Sequence, residues 1–299
     1  IWVAAGTYYP DEQDGEDSGE RSSSFTIPSG VKVYGGFNGT ETDTIQRVNY
    51  GVGEDNETIL SGDIDKDGIQ TDNAYHVVTL VDASEETVLD GFTITGGQAD
   101  GSASLNIDDR HGGGIFNKNG SPRITNCTIS GNNANQYGGG MYNGSSYGDS
   151  NPRLINCIIS GNTAGNGGGG MANGGQTPPR ASPILTNCLI SGNTADNGGG
   201  FHSYNHQSDT NTPIFTNCTI SGNYASTNGG GMYNTNGSPT FTNCIVWGNA
   251  PKSFSTQGGS LSHSIIEGSG GSDNWNDSFG INGGDIFDSD PFFVGSIHP

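Results

Sequence analysis

Positive charge is scarce in this chain: ten lysines and arginines stand against 31 aspartates and glutamates in 299 residues, a formal net charge of −21. A surface of that sign repels phosphate backbones and anionic headgroups, which argues against nucleic acid or an anionic membrane surface as partner. Long apolar runs are missing as well. No stretch approaches the ~18 uninterrupted apolar residues of a bilayer-spanning helix, so no membrane insertion is expected within this segment. Cysteine is present but cannot be fully paired, because there are five. An odd number at one repeated position reads as buried free thiols and not as a disulfide framework. Ligands stacked in a ladder also fail to converge on a point, which argues against a tetrahedral metal site.

The charge that exists is unevenly placed. Residues 1–110 hold 22 acidic and 5 basic side chains, residues 111–250 hold 3 and 4, and residues 251–299 hold 6 and 1. The middle of the chain is therefore nearly neutral, and it is also a repeat. Asn-Cys-x-Ile/Val-x-Gly-Asn recurs from Asn126, Asn156, Asn187, Asn217 and Asn243, and Gly-Gly-Gly-apolar recurs with its last glycine at Gly140, Gly170, Gly200 and Gly231. An x-Pro step opens each unit at Pro122, Pro152, Pro183, Pro213 and Pro239. A fixed period of this size means a solenoid, a propeller or an array of small units.

Within each unit the apolar runs are too short and too β-branched for helices. Three strands per unit are expected: one carrying Ile124, Leu154, Leu185, Phe215 or Phe241, one carrying cysteine and then Ile129, Ile159, Ile190, Ile220 or Val246, and one carrying Met141, Met171, Phe201 or Met232. Such strands cannot fold alone, but stacked in register they pair with the units above and below at about 4.8 Å and bury a continuous column. The fold class expected is all-β, a right-handed parallel β-helix with coils of 26–31 residues in the cysteine region. A propeller fits worse, since its blades need about four strands in a longer unit. The asparagines at Asn132, Asn162, Asn193, Asn223 and Asn249 are expected at coil corners, where an amide tolerates left-handed backbone and bonds the next amide in the stack. One domain over residues 1–299 is expected, with acidic N-terminal coils to residue 111, regular coils to residue 250 and looser coils beyond.

Several stretches together, IWVAAGTYYP, VYGGFNGTET, ILSGDIDKDG, LDGFTITGG, the NCxIxGN and GGG-M-Y-N coils, IVWGNA and SDPFFV, resemble right-handed β-helix repeat proteins of bacterial surfaces. They are similar to polymorphic outer-membrane proteins and to secreted proteins with a C-terminal sorting anchor. That resemblance implies an extracellular or cell-surface location and gives little about activity.

One local motif has metal-ligand spacing. Asp63, Asp65 and Asp67 alternate before Gly68, with the Ile69 carbonyl and the Asp72 carboxylate available to complete an oxygen shell for Ca²⁺. The alternative is a solvated acidic turn. Asp108, Asp109 and His111, with Arg110 between them, form the compact cluster in which an acid, a base and a guanidinium meet, so they are the candidates if the protein cleaves glycans. The bland reading is a polar loop ahead of Gly112. Tyr142, His202 and Tyr233 fall at outward positions of the third strand and suit a sugar-stacking strip, while Arg123, Arg153 and Arg180 read as solvating a neutral barrel. The function expected is an extracellular structural or adhesive β-helix, with polysaccharide binding or degradation as the alternative. Its partners are then surface glycans or, because both ends begin and finish in strand-like sequence, other copies joined head to tail into a filament. Ends lost by excision from a longer precursor explain the same pattern.

Overall fold

In the computed structural model, residues 1–12, 19–102, 108–145, 149–175, 181–205, 211–235, 237–256 and 259–293 are described. Arg180, the middle of the acidic N-terminal insertion and the centres of several edge loops lie outside them. Every strand pairs in parallel with the equivalent strand of neighbouring coils, and no α-helix interrupts the described residues. The chain is a right-handed parallel β-helix of ten layers, about 45 Å long if each layer adds one interstrand spacing.

Three sheets run along the solenoid, as the repeat predicts. The first passes through Arg123–Thr125, Arg153–Ile155, Ile184–Thr186 and Ile214–Thr216, the second through Thr128–Ser130 and Ile158–Ser160, and the third through Met141–Ser145 and Met171–Gly175. A fourth sheet of five strands follows the second in the middle coils, from two residues at Asn133–Ala134 and Thr163–Ala164 to four and five at Thr194–Asn197 and Tyr224–Asn228. Its two-residue strands escape a periodicity reading because they show no alternation. Its inward residues, Ala99, Ala134, Ala164, Ala195 and Ala225, are small and buried.

The interior is a set of columns. Leu89, Ile124, Leu154, Leu185, Phe215, Phe241 and Leu261 stack from the first sheet, and Ile94, Ile129, Ile159, Ile190, Ile220, Val246 and Ile266 from the second. Phe215 and Phe241 stack face to face at 4.5 Å. Between these columns stand Cys127, Cys157, Cys188, Cys218 and Cys244, all buried and free. Each thiol donates to carbonyls instead of bridging; Cys157 Sγ lies 3.4 Å from the Ile155 oxygen and 3.5 Å from that of Ile124. Burial holds the Cys127 thiol well above its ordinary pKa, and although hydrogen bonding to Cys188 lowers those of Cys157 and Cys218, all five sulfurs are buried out of a solvent reagent's reach. The native protein is therefore expected to be inert to a thiol-titrating reagent, and the protein unfolded without reductant to titrate five groups. A count of three would expose a bridge.

Asparagine plays two backbone roles that the sequence motif blends. The left-handed corner belongs to the first asparagine of each motif: Asn126, Asn156, Asn187, Asn217 and Asn243 have φ between 52° and 55°. Asn132, Asn162, Asn193, Asn223 and Asn249 do not adopt that region; the positive φ beside them belongs to Gly131, Gly161, Gly192, Gly222 and Gly248. The corner is relieved by the residue with no Cβ, which leaves the second asparagine free to turn its amide inward. There the amides form a buried ladder, Asn132 Nδ2 donating to Asn162 Oδ1 at 3.0 Å and so on through Asn193 and Asn223 to Asn249. The triple glycines pack against this ladder. A Cβ on Gly169 would come within 2.3 Å of the Thr194 oxygen, a backbone atom that cannot move aside.

Candidate functional site

The acidic turn leaves the second sheet after Thr58–Ser61 and is pinned by Ile64, which is buried. Lys66 and Gly68 take φ of 61° and 76°, curling the backbone so that the Gly68 N–H donates to both Asp63 oxygens at 3.3 and 3.2 Å. The Ile69 N–H donates to Asp67 Oδ1 at 2.6 Å. As a result Asp63, Asp65 and Asp67 each bring a carboxylate oxygen within 4.8 Å of the others. Partial burial raises the Asp63 pKa, and the charges of Asp65 and Asp67 add to that rise against the pull of the Gly68 N–H. Three hard oxygen donors on one curled turn are of the type Ca²⁺ takes and would supply part of a shell of about six to eight oxygens. Asp72 sits in a following 3₁₀ turn, Gln70–Asp72, outside this trio, and Ile69 is exposed beside it.

A second cluster covers the outer face of the third sheet. Phe116, Tyr142, Ala172, His202 and Tyr233 are register partners on successive coils. Rings from the preceding corner stack onto them. His76 lies 4.8 Å from Phe116, His111 4.8 Å from Tyr142, and Tyr137 4.6 Å from Tyr204, while His202 stands 5.1 Å from Tyr233 and 5.3 Å from Tyr204. Glycines make the room, since a Cβ on Gly174 would strike the Tyr204 ring at 2.4 Å and one on Gly167 would strike His202 Nδ1 at 2.1 Å. The strip is thus a self-packed row, with Phe116, His111 and His202 buried within it.

The sequence analysis picks out Tyr142, His202 and Tyr233 of this row but not Phe116, which holds the same position after the earlier glycine block at Gly114, nor His76, Tyr137 and Tyr204, which lie at other positions of their coils. The available signal is register. His111, Tyr137, Gly167 and Asn197 occupy one bridge column just ahead of the strand, so aligning the coils on their glycine blocks places two rings there.

Asp108 and Asp109 lie on the 3₁₀ turn Asp108–Arg110 at the edge of this row. Asp108 pairs with Lys118 Nζ at 2.6 Å. Asp109 Oδ1 stands 3.9 Å from His76 Nε2, while His76 Nδ1 donates to the Gly112 carbonyl at 3.0 Å. Burial lowers the pKa of His76, and it lowers that of His111 to about 4, with Asp108 opposing and Arg110 and His76 reinforcing. The His202 pKa is also lowered to about 4, by burial alone. Chemically this gives neutral imidazoles beside a lysine-paired carboxylate, and among the described residues His111 Nδ1 and His202 Nδ1 find no hydrogen-bond partner. Neither a family model, nor a curated protein, nor a solved structure matches the chain. Among the described residues no helix is long and apolar enough to cross a membrane.

Proposed function

We propose that this β-helix is a structural or adhesive rod of an extracellular or bacterial-type cell surface. One observation carries the reading: within residues 112–250 the columns and the buried amide ladder keep register coil after coil, while the chain varies in length chiefly in the connection from the third sheet back to the first. A rigid axis with variable loops along one edge is a display scaffold. The glycan-binding alternative draws on the aromatic row beside Asp108, Asp109 and His111. Antibody labelling of intact cells, combined with depolymerisation assays on neutral and acidic glycans, separates the readings. Surface labelling without turnover is expected; turnover lost in Asp109→Ala would replace the scaffold with an enzyme.

End-to-end pairing between copies belongs to the same proposal. Such pairing would extend the parallel strand ladders that already run from coil to coil through the solenoid. Electron microscopy at high protein concentration tests it, with regularly spaced fibres supporting the idea and uniform single particles rejecting it.

Calcium is proposed as a stabilising ion at Asp63, Asp65 and Asp67. Because it binds the folded state alone, saturation at a hundred times Kd adds about 2.7 kcal/mol by mass action. The melting temperature is expected to rise with Ca²⁺ in the native protein and not in Asp65→Ala. No response to either Ca²⁺ or EDTA leaves a merely solvated turn.

A further inference from the structure

The two asparagine ladders differ in what tells each amide which way to point. In the inner ladder the backbone decides at every coil. Asn162 Oδ1 accepts from the Asn132 backbone N–H and Asn162 Nδ2 donates to the Ile129 carbonyl, so a reversed amide would lose both bonds. The outer ladder has no such local instruction. Among the described residues its amides, Asn126, Asn156, Asn187, Asn217 and Asn243, bond only along their own column. Reversing all five together would preserve every amide–amide bond, so the direction has to come from an end.

It comes from Asp90. Asn126 Nδ2 donates to Asp90 Oδ2 at 3.1 Å, and a carboxylate accepts hydrogen bonds but has none to give. A reversed Asn126 would set its own oxygen against that carboxylate. With Nδ2 held toward Asp90, Asn126 turns Oδ1 to the next coil, where it accepts from Asn156 Nδ2 at 3.2 Å. Asn156 then accepts from Asn187 at 3.2 Å, Asn187 from Asn217 at 3.1 Å and Asn217 from Asn243 at 2.7 Å. The column from Asp90 to Asn243 covers about 24 Å, five interstrand spacings.

Asp90 is itself held by the insertion of residues 38–57, which lies between the strands Lys32–Phe37 and Thr58–Ser61. Arg47 Nη2 stands 2.6 Å from Asp90 Oδ1, off the line of a hydrogen bond, with the two side chains only 8 and 11 % exposed. Arg47 Nη1 donates to the Gly35 carbonyl at 2.9 Å, and the rings of Tyr50, Tyr34 and Phe37 lie 4.9, 5.4 and 5.5 Å from the guanidinium carbon. Among the described residues this is the one ion pair that joins the insertion to the coils.

We propose that Asp90 is the junction of a conformational device built into the outer face of the barrel. Through Arg47 it latches the 38–57 insertion onto the first sheet as a strap, and through Asn126 it sets the direction of the outer ladder. Aligned amides polarise one another, so the direction set at Asp90 is carried to Asn243 with no contact between the two residues.

The test moves the carboxylate from one end of the ladder to the other, in the whole chain. Asn243→Asp keeps a residue that tolerates the φ of 54° but sets an acceptor against Asn217 Oδ1, and is expected to lower the melting temperature by about 3 °C. In Asp90→Asn the ladder is free to reverse, Asn217 then donating to the new carboxylate, and adding Asn243→Asp is expected to cost nothing further. Sites this far apart ordinarily add, so the recovery reports the ladder. Asn187→Gly cuts the ladder and leaves Asp90 in place; it is expected to give the same recovery, and it decides the matter if Asp90→Asn fails to fold. The latch is read with trypsin, for which Arg47 is the one cleavage site in residues 38–57. Cleavage there is expected to quicken about tenfold in Asp90→Asn and in Arg47→Lys, because proteolysis follows the population of released strap. Arg47→Lys keeps the carboxylate, so Asn243→Asp is expected to cost its full 3 °C or so in that background. An equal cost of Asn243→Asp in every background, or none in the native protein, overturns the ordering by Asp90; unchanged cleavage in both latch variants overturns the strap.

Discussion

Replacing Asn193 by alanine is expected to destabilise the protein by on the order of 3–5 kcal/mol, among the larger costs of a single substitution. The residue is fully buried at the centre of the inner amide ladder. Its Nδ2 donates to the Ile159 oxygen and to Asn223 Oδ1, each at 2.9 Å, and its Oδ1 accepts from Asn162 Nδ2 and from the Asn162 backbone N–H, each at 3.0 Å. Truncation removes all four bonds at once. It also strands a backbone N–H, an amide N–H and a carbonyl in a space where the packed glycines leave little room for water, and each orphan costs its own desolvation. The outer ladder supplies the control. Asn187 donates to Asn156 and accepts from Asn217, but both bonds are exposed to water, so Asn187→Gly, which keeps the φ of 55° without strain, is expected to cost a few tenths of a kcal/mol. Equilibrium denaturation of the two variants measures the contrast. A loss below about 1 kcal/mol for Asn193→Ala would mean that the columns, not the amides, carry the register.

How much of this was legible in the sequence depends on whether a feature repeats. The columns, the free thiols and the stacked amides were visible because Cys, Ile and Asn recur at one period, and any residue that recurs in a solenoid occupies one line in space. The assignment of left-handed backbone went to the wrong asparagine because Asn126 and Asn132 are the same residue type at two corners of one coil. What separates them is the glycine: Gly131 absorbs the strain beside Asn132, while Asn126 follows Thr125 and has to absorb it itself. The fourth sheet was hidden by its length. Features built once were harder still. Arg123 and Arg153 read as separate solvating charges, and both are exposed; only register shows that they stand side by side. The aromatic row was half visible, because Phe116, Tyr142, His202 and Tyr233 fall at one position after a glycine block while Tyr137, Tyr204 and His76 join it from other positions of their coils.

That row makes the protein sensitive to acid. His111 and His202 are buried against tyrosines, and their pKa values are lowered from 6.5 to about 4. Both are neutral in the folded state across the physiological range, whereas in the unfolded chain they protonate near 6.5. As pH falls below 6.5 the unfolded state takes up protons that the folded state refuses, so stability is complete above pH 6.5 and declines until the folded imidazoles titrate near 4. Each imidazole then accounts for a loss of about 2 kcal/mol at pH 5 and about 3 kcal/mol below pH 4. Together they remove about 4 kcal/mol at pH 5, a large share of the stability of an ordinary domain. Carboxylates titrate in the same window, and the variant His202→Phe isolates the imidazole term because a phenyl ring fills the same slot between Tyr204 and Tyr233 without a proton to gain. Denaturation at pH 7 and pH 5 is expected to show a fall about 2 kcal/mol smaller in His202→Phe than in the native protein. Proton NMR of the His202 ring gives the direct check: a midpoint near 4 in the folded state supports the buried neutral imidazole, and a midpoint near 6.5 would show that the aromatic row is open to water.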